Sequence, residues 1–304
     1  RLLTWIELLQ CVRDLTSGLN PGEYLIVDPD SRLTQLGLLP VDLLERSWHE
    51  REQDRATQRR DYLLFPSREY GSGTSLSLSQ LSSLWLDEVF GESGPTHPSV
   101  SLRRNDIDVA RNLVTGMRRG SRPIIAINFG VGENQRKRVS GEFEATLVSR
   151  LIQDGAVIVL DKGAGDEERS RANLIVGEAT RMERDGRLVR AVEVNGRLNN
   201  ARGGFDAEIL VWSGGIGMLG ALIGESDLYI GYDSAGQHIA AALGVKSISV
   251  FAGFSSQRVL ERWRPTGRAE TRQVAFDTLS GAVGANELIA KVQRHAAEML
   301  SAAN

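Results

Sequence analysis

The run Asp233-Ser234-Ala235-Gly236-Gln237-His238 gathers a carboxylate, a hydroxyl, a glycine and an imidazole within one short stretch. It follows the apolar segment Leu228–Tyr232 and leads into the alanine-rich segment Ile239–Leu243, which is closed by Gly244. The apolar segment reads as a buried strand, and Ser234 and Gly244 read as the N-cap and C′ residues of a helix. Ser247–Phe251 reads as the next strand. Such a strand–helix–strand unit is a parallel crossover, and it creates a site where the first strand meets the helix. The helix start offers unpaired N–H groups and a positive dipole end, which suits a diphosphate. Gly236 would let a ligand approach the backbone there. Asp233, at the strand end, is placed to accept hydrogen bonds from sugar hydroxyls. The same residues also fit an ordinary capped crossover helix with His238 satisfied in the core.

Two more polar loops belong at the same sheet edge, because parallel sheets bind ligands beyond the carboxyl ends of their strands. Ile124–Asn128 reads as a strand followed by a loop with Gly130, Gly132, Arg136, Lys137 and Arg138. Ala156–Leu160 reads as a strand followed by a loop with Gly163, Gly165, Glu167 and Glu168. Cations and helix amides would neutralise a diphosphate, and a carboxylate such as Glu167 would grip a ribose diol. A competing motif is Gly215-Ile-Gly217-Met-Leu-Gly220, which fits G-x-G-x-x-G after the strand Ala207–Trp212, with Asp233 ending the next strand. Taken literally it predicts an oxidoreductase binding NAD or FAD. It ranks second: the fingerprint usually opens its domain, and it leaves His238 unused.

The elements that must position these loops can be read along the chain. Leu2, Leu3, Ile6, Leu9, Val12 and Leu15 recur at helical spacing up to Gly18 and Pro21. Tyr24–Val27 and Tyr62–Phe65 read as short strands, Leu76–Phe90 and Asp108–Met117 as helices, and residues 45–60 as a solvated, charge-dense run. Arg184–Arg187 reads as a turn flanked by Leu188–Val194, an inserted hairpin. Leu288, Ile289, Val292, Ala296 and Met299 mark one face of a final helix over Glu287–Leu300. Alternating strands and helices predict an α/β protein, a mostly parallel sheet with helices on both faces. The domain boundary is expected near Gly120.

Composition bounds the partners. The 304 residues allow about two domains, and 41% hydrophobic with 25% charged residues is enough to build a full core. A net charge of −3 gives no reason to expect nucleic acid. The single cysteine, Cys11, excludes an internal disulfide and a Cys-rich metal site, and fits a reducing compartment. No apolar run approaches the roughly 18 residues of a membrane helix. The chain begins at Arg1 rather than Met, so a fragment is the expectation.

Asp233-Ser-Ala-Gly-Gln-His238-Ile-Ala-Ala-Ala-Leu resembles the Asp-Ser/Thr-Gly-x-x-His-x-x-Ala-Ala run of heptosyltransferase-like glycosyltransferases, family nine, of the GT-B fold. Lys137-Arg-Val-Ser with Phe143, and Gly163-Ala-Gly-Asp-Glu167-Glu, support the resemblance in the same order over residues 121–270. It implies two Rossmann-like domains: a partial acceptor-side domain, 1–120, and a nucleotide-sugar donor domain, 121–304. By carry-over Lys137, Glu167, Asp233, Ser234, Ala235, Gly236 and His238 form the donor site. The implied reaction is inverting transfer of a heptose or related sugar from an ADP-linked donor to a lipopolysaccharide-type or other saccharide acceptor, without metal or cofactor. A cytoplasmic protein, peripheral at the inner membrane, follows from that role. Two departures stand out. The family's glycine two places after the aspartate is Ala235, with Gly236 next. The Gly-rich loop that carries the family's acidic base is not found, so the amino-terminal domain is expected to be truncated. Asp28 and Asp30 follow a strand but read as turn residues, which leaves the base unassigned and a non-catalytic sugar-nucleotide-binding remnant as a further alternative.

Overall fold

The computed structural model describes residues 10–11, 13–20, 23–28, 62–67, 69–91, 94, 97–118, 120–132, 134–139, 142–195, 205–276 and 284–301. The chain divides into two compact units, residues 1–94 and 95–304. In the first, β1 (Ile26–Asp28) pairs in parallel with β2 (Tyr62–Leu64). Helix α1 (Leu78–Phe90) starts in a capping box. The Ser77 Oγ accepts from the Gln80 amide, and Gln80 Oε1 accepts from the Ser77 amide at 3.0 Å. Leu81 and Trp85 of α1 pack with Phe65 in a small core of their own. Residues 13–16 are helical and stop before Gly18, whose φ is 82°. Leu2, Leu3, Ile6, Leu9, Val12, Asp30 and the charged run 45–60 lie outside the described residues.

The second unit opens with α2 (Arg104–Met117), expected on the amino-terminal side of Gly120. It continues with β3 (Ile124–Asn128), α3 (Phe143–Gln153), β4 (Val157–Asp161) and α4 (Asp166–Ala179). A small hairpin, β5 (Glu183–Arg184) and β6 (Arg187–Leu188), precedes β7 (Ala191–Asn195) and β8 (Ile209–Ser213). Then come α5 (Ile216–Gly224), β9 (Leu228–Tyr232), α6 (Ala235–Leu243), β10 (Ser247–Ala252), α7 (Gln257–Arg262), β11 (Thr271–Phe276) and α8 (Ala285–Ser301). Seven of these strands form one sheet in the order β11-β10-β9-β3-β4-β8-β7, and every pair is parallel.

Strand alternation sorts the side chains onto two covered faces, which is why the central strands are apolar nearly throughout. Ile125 and Ile127 of β3 join a core with Leu147 and Leu151 of α3 and Val292 of α8. Ile124 and Ala126 join a second core with Leu113 and Met117 of α2, Leu222 of α5 and Ala240 of α6. The chain therefore leaves β3 over one face and β9 over the other. These two strands are neighbours, with Asn128 opposite Gly231. Their carboxyl ends bound the crevice where the order of winding reverses, the place where open α/β sheets bind ligands.

Two sequence expectations change here. The inserted hairpin is only β5–β6, turned by Asp185 and Gly186 at φ 53° and 75°. Ala191–Asn195 instead pairs in parallel with β8, because Val194 has a core to enter beside Trp212. Strand β11 was not foreseen: within it only Val274 and Phe276 are buried, so its apolar signal is weak. Among the described residues no helix is long and apolar enough to cross a membrane.

Candidate functional site

The β3–β9 crevice is where the first and third loops meet. The loop after β3 contains a single 3-10 turn, Gln135–Lys137, whose start is capped by the Asn134 side chain. Lys137 Nζ lies 2.6 Å from Asp233 Oδ2 and donates to the Asp233 carbonyl at 3.2 Å. The Asp233 carboxylate is 8% exposed, and Gln237 Nε2 donates to its other oxygen at 2.8 Å. The Gln237 amide nitrogen also stands 3.3 Å from His238 Nε2. Lys137, Asp233 and His238 thus form one connected group. Gly253, just after β10, holds the lysine loop close. Its φ is +60°, and a Cβ there would fall 2.0 Å from the Arg136 carbonyl oxygen.

Helix α6 begins as the sequence predicted, but its cap differs. Ser234 occupies the N-cap position without a side-chain bond to the helix amides. Its hydroxyl instead donates to Asn128 Oδ1 at 3.4 Å. The first-turn amides are therefore uncapped by any side chain, and the exposed Ala235 leads them. Gly236 faces the other way. A Cβ on it would lie 2.2 Å from the Tyr229 hydroxyl oxygen, so this glycine makes room for a buried ring under the helix. The close fit to Tyr229 is a packing reason for glycine here, beside the ligand approach expected from sequence.

Glu167 lies on the neighbouring loop. It is in the first turn of α4, exposed, and its carboxylate is held by the buried Arg138 guanidinium and by Gln135 Nε2 at 2.7 Å. The ion pair with Arg138, next in sequence to Lys137, ties the second loop to the first. Asn128 adds a further tie, since its amide donates to Asp161 while its oxygen accepts from the Gly130 amide at 3.1 Å. Burial raises the Asp161 carboxyl above its ordinary value, against the lowering effect of the Gly163 amide and Asn128. Asn128, Gln237 and Gly253 were not singled out as site residues from sequence, and Arg138, expected among the cations for a diphosphate, is instead paired with Glu167. A polar Asn closing the apolar strand Ile-Ile-Ala-Ile was the one available signal.

Burial lowers the His238 pKa from 6.5; Asp233 opposes that and Lys137 adds to it. A group with a folded-state pKa below its unfolded value binds fewer protons than the unfolded chain as pH falls past about 6.5. Its contribution to stability is intact above that pH and declines below it, until the folded-state pKa is passed. The melting temperature should therefore fall between pH 7 and pH 5, and His238→Gln should reduce that fall. An unchanged pH slope in the variant would show that His238 titrates as an ordinary solvated histidine.

The glycine motif at Gly215 does not assemble a dinucleotide site with Asp233. Strands β8 and β9 are separated by β4 and β3, which at about 4.8 Å per strand puts their ends roughly 14 Å apart. The fingerprint needs its acidic residue on the adjacent strand. Gly220 instead packs against Leu102 and Ile239, and Gly214 lies against the Trp212 indole. A cavity of about 890 Å³ lies beside the start of α5, lined in part by Arg103, Asp106, Asn195, Trp212 and Ile216. None of the seven donor-site candidates lines it.

Residues 213–274 match the model of glycosyltransferase family 9 (heptosyltransferase). They run from the end of β8 through β9, α6 and β10 into β11, and so include the Asp233–His238 turn. No curated protein matches the sequence significantly. Among solved structures, a family 9 glycosyl transferase from Veillonella parvula superposes with a TM-score of 0.52 at 13% identity, covering 80% of this chain and 63% of that one. The Escherichia coli heptosyltransferase WaaC with ADP gives a TM-score of 0.54 at 13% identity, covering 95% of this chain and 76% of WaaC. The chain thus spans less than two thirds of the Veillonella protein's length. It has the GT-B-like fold of these solved glycosyltransferases, and its residues 213–274 match the model of glycosyltransferase family 9.

Proposed function

We propose that this protein is a glycosyltransferase whose residues 121–304 hold a sugar nucleotide in the β3–β9 crevice. The observation that carries the reading is Lys137 paired at 2.6 Å to Asp233 beside the uncapped start of α6, Asp233 and α6 both lying inside the matched segment. Lys137 and the α6 amides supply positive charge where a diphosphate leaves, which is the main electrostatic need of glycosyl transfer from a nucleotide donor. Asp233, Ser234 and His238 face the sugar and diphosphate, and Ala235 presents its amide. Glu167 faces the nucleoside. The presence of ADP in the WaaC structure supports an adenine nucleotide as the donor class. The reaction is inverting transfer of a heptose or related sugar to a saccharide hydroxyl, with a lipopolysaccharide-type acceptor. Its place is the cytoplasmic face of the inner membrane.

The test is thermal. ADP or an ADP-sugar at 100 times its Kd adds about 2.7 kcal/mol to stability and raises the melting temperature by several degrees. NAD and FAD should do less. A larger shift with NAD than with ADP would overturn the reading in favour of a dinucleotide site.

A further inference from the structure

The pairing of Lys137 with Asp233 depends on where two separate loops end, and one buried network fixes both. Tyr232 immediately precedes Asp233, and Val139 follows Lys137 by two residues. The Tyr232 hydroxyl accepts from the Val139 amide at 3.3 Å and donates to Glu144 Oε1 at 3.0 Å. Glu144, 4% exposed on α3, is in turn gripped by Arg171 of α4 through two contacts, at 2.7 Å and 3.0 Å. The Tyr232 ring is wedged between Phe129 and Phe143, with centroids 5.5 Å and 6.3 Å away. Burial and the nearby Glu144 charge keep the phenol above its ordinary pKa, so it stays a neutral donor. A buried carboxylate is costly unless paired, and here its partners are a cation and a phenol that reaches the lysine loop. Neither Tyr232 nor Glu144 lies among the residues assigned to the donor.

We infer that Tyr232, backed by Glu144 and Arg171, is a positioning residue that sets the Lys137–Asp233 spacing for the donor's diphosphate. The inference rests on the donor-site reading above. The phenol bonds to the backbone just after Lys137, and Tyr232 is itself the last residue of β9, the strand that delivers Asp233. Losing its hydroxyl would free the lysine loop without removing any group that touches the ligand.

Calorimetry on the full chain tests this with ADP and adenosine as probes. Tyr232→Phe keeps the ring packing and should weaken ADP about threefold to tenfold, the usual worth of one hydrogen bond. Adenosine, which carries no phosphate for Lys137, should bind unchanged. In a Lys137→Met background Tyr232→Phe should have no further effect on ADP, because the brace acts through that lysine. Should Tyr232→Phe not fold, Glu144→Gln, which keeps an oxygen for the phenol but drops the charge holding Arg171, should shift ADP affinity in the same direction. Unchanged ADP affinity in a folded variant, equal loss of ADP and adenosine, or full additivity with Lys137→Met would overturn the brace alone. Absence of ADP binding by the unmutated protein would overturn the donor-site reading and the brace with it.

Discussion

Replacing Lys137 with Met is expected to weaken ADP binding by about tenfold to a hundredfold while leaving the fold in place. The range is that of a hydrogen bond to a charged group, about 1.5–3 kcal/mol, converted at 1.4 kcal/mol per decade. Two effects act in the same direction. The diphosphate loses a cation, and Asp233 loses the partner that stands 2.6 Å from its carboxylate. The carboxylate is then left, 8% exposed, with the Gln237 amide as its remaining side-chain donor and with a ligand of like charge beside it. Asp233→Asn in the same chain should therefore recover part of the loss, and that rescue separates repulsion from a missing contact. Isothermal titration of the unmutated protein, the single variant and the double variant measures all three. Equal ADP affinity in the single variant would place the nucleotide elsewhere.

Gly236→Ala is expected to cost about 1–3 kcal/mol, the usual penalty for overpacking. The reason is geometric. The added methyl would sit 2.2 Å from the Tyr229 oxygen and 2.8 Å from its Cζ, against a ring that is fully buried. The ring cannot retreat into the sheet, because a Cβ on Gly231 would stand 2.3 Å from the same oxygen. Tyr229→Phe combined with Gly236→Ala should restore part of the stability, since it removes the nearest atom. The measurement is a denaturant titration of both variants. A Gly236→Ala protein as stable as the original but unable to bind ADP would leave ligand approach as the reason for this glycine.

Much of the second unit was legible because its signals are local. Leu228–Tyr232, Ser234 and Gly244 define a strand, an N-cap and a C′ residue by side-chain type alone, and all three stand where the sequence put them. The five apolar residues named on the last helix are the five that it buries. The loop motifs were legible for the same reason, as glycines and charges directly follow apolar strands. What a residue faces is another matter. Gly236 and Ala235 are adjacent small residues, yet one packs on Tyr229 and the other is exposed, because only the crossing of α6 over β9 distinguishes them. The order of strands is likewise not written in their sequence. Gly215 and Asp233 have the spacing of a dinucleotide motif, and the sheet sets two strands between theirs. Lys137 and Asp233 are far apart in the chain, and they meet because β3 and β9 pair at the reversal of the winding. The sequence by itself determined which segments are strands, helices and polar loops, since those follow from propensity and period. The tertiary structure alone decided which loops share an edge and which side chain turns inward, because strand pairing and helix packing are contacts between segments distant in the chain.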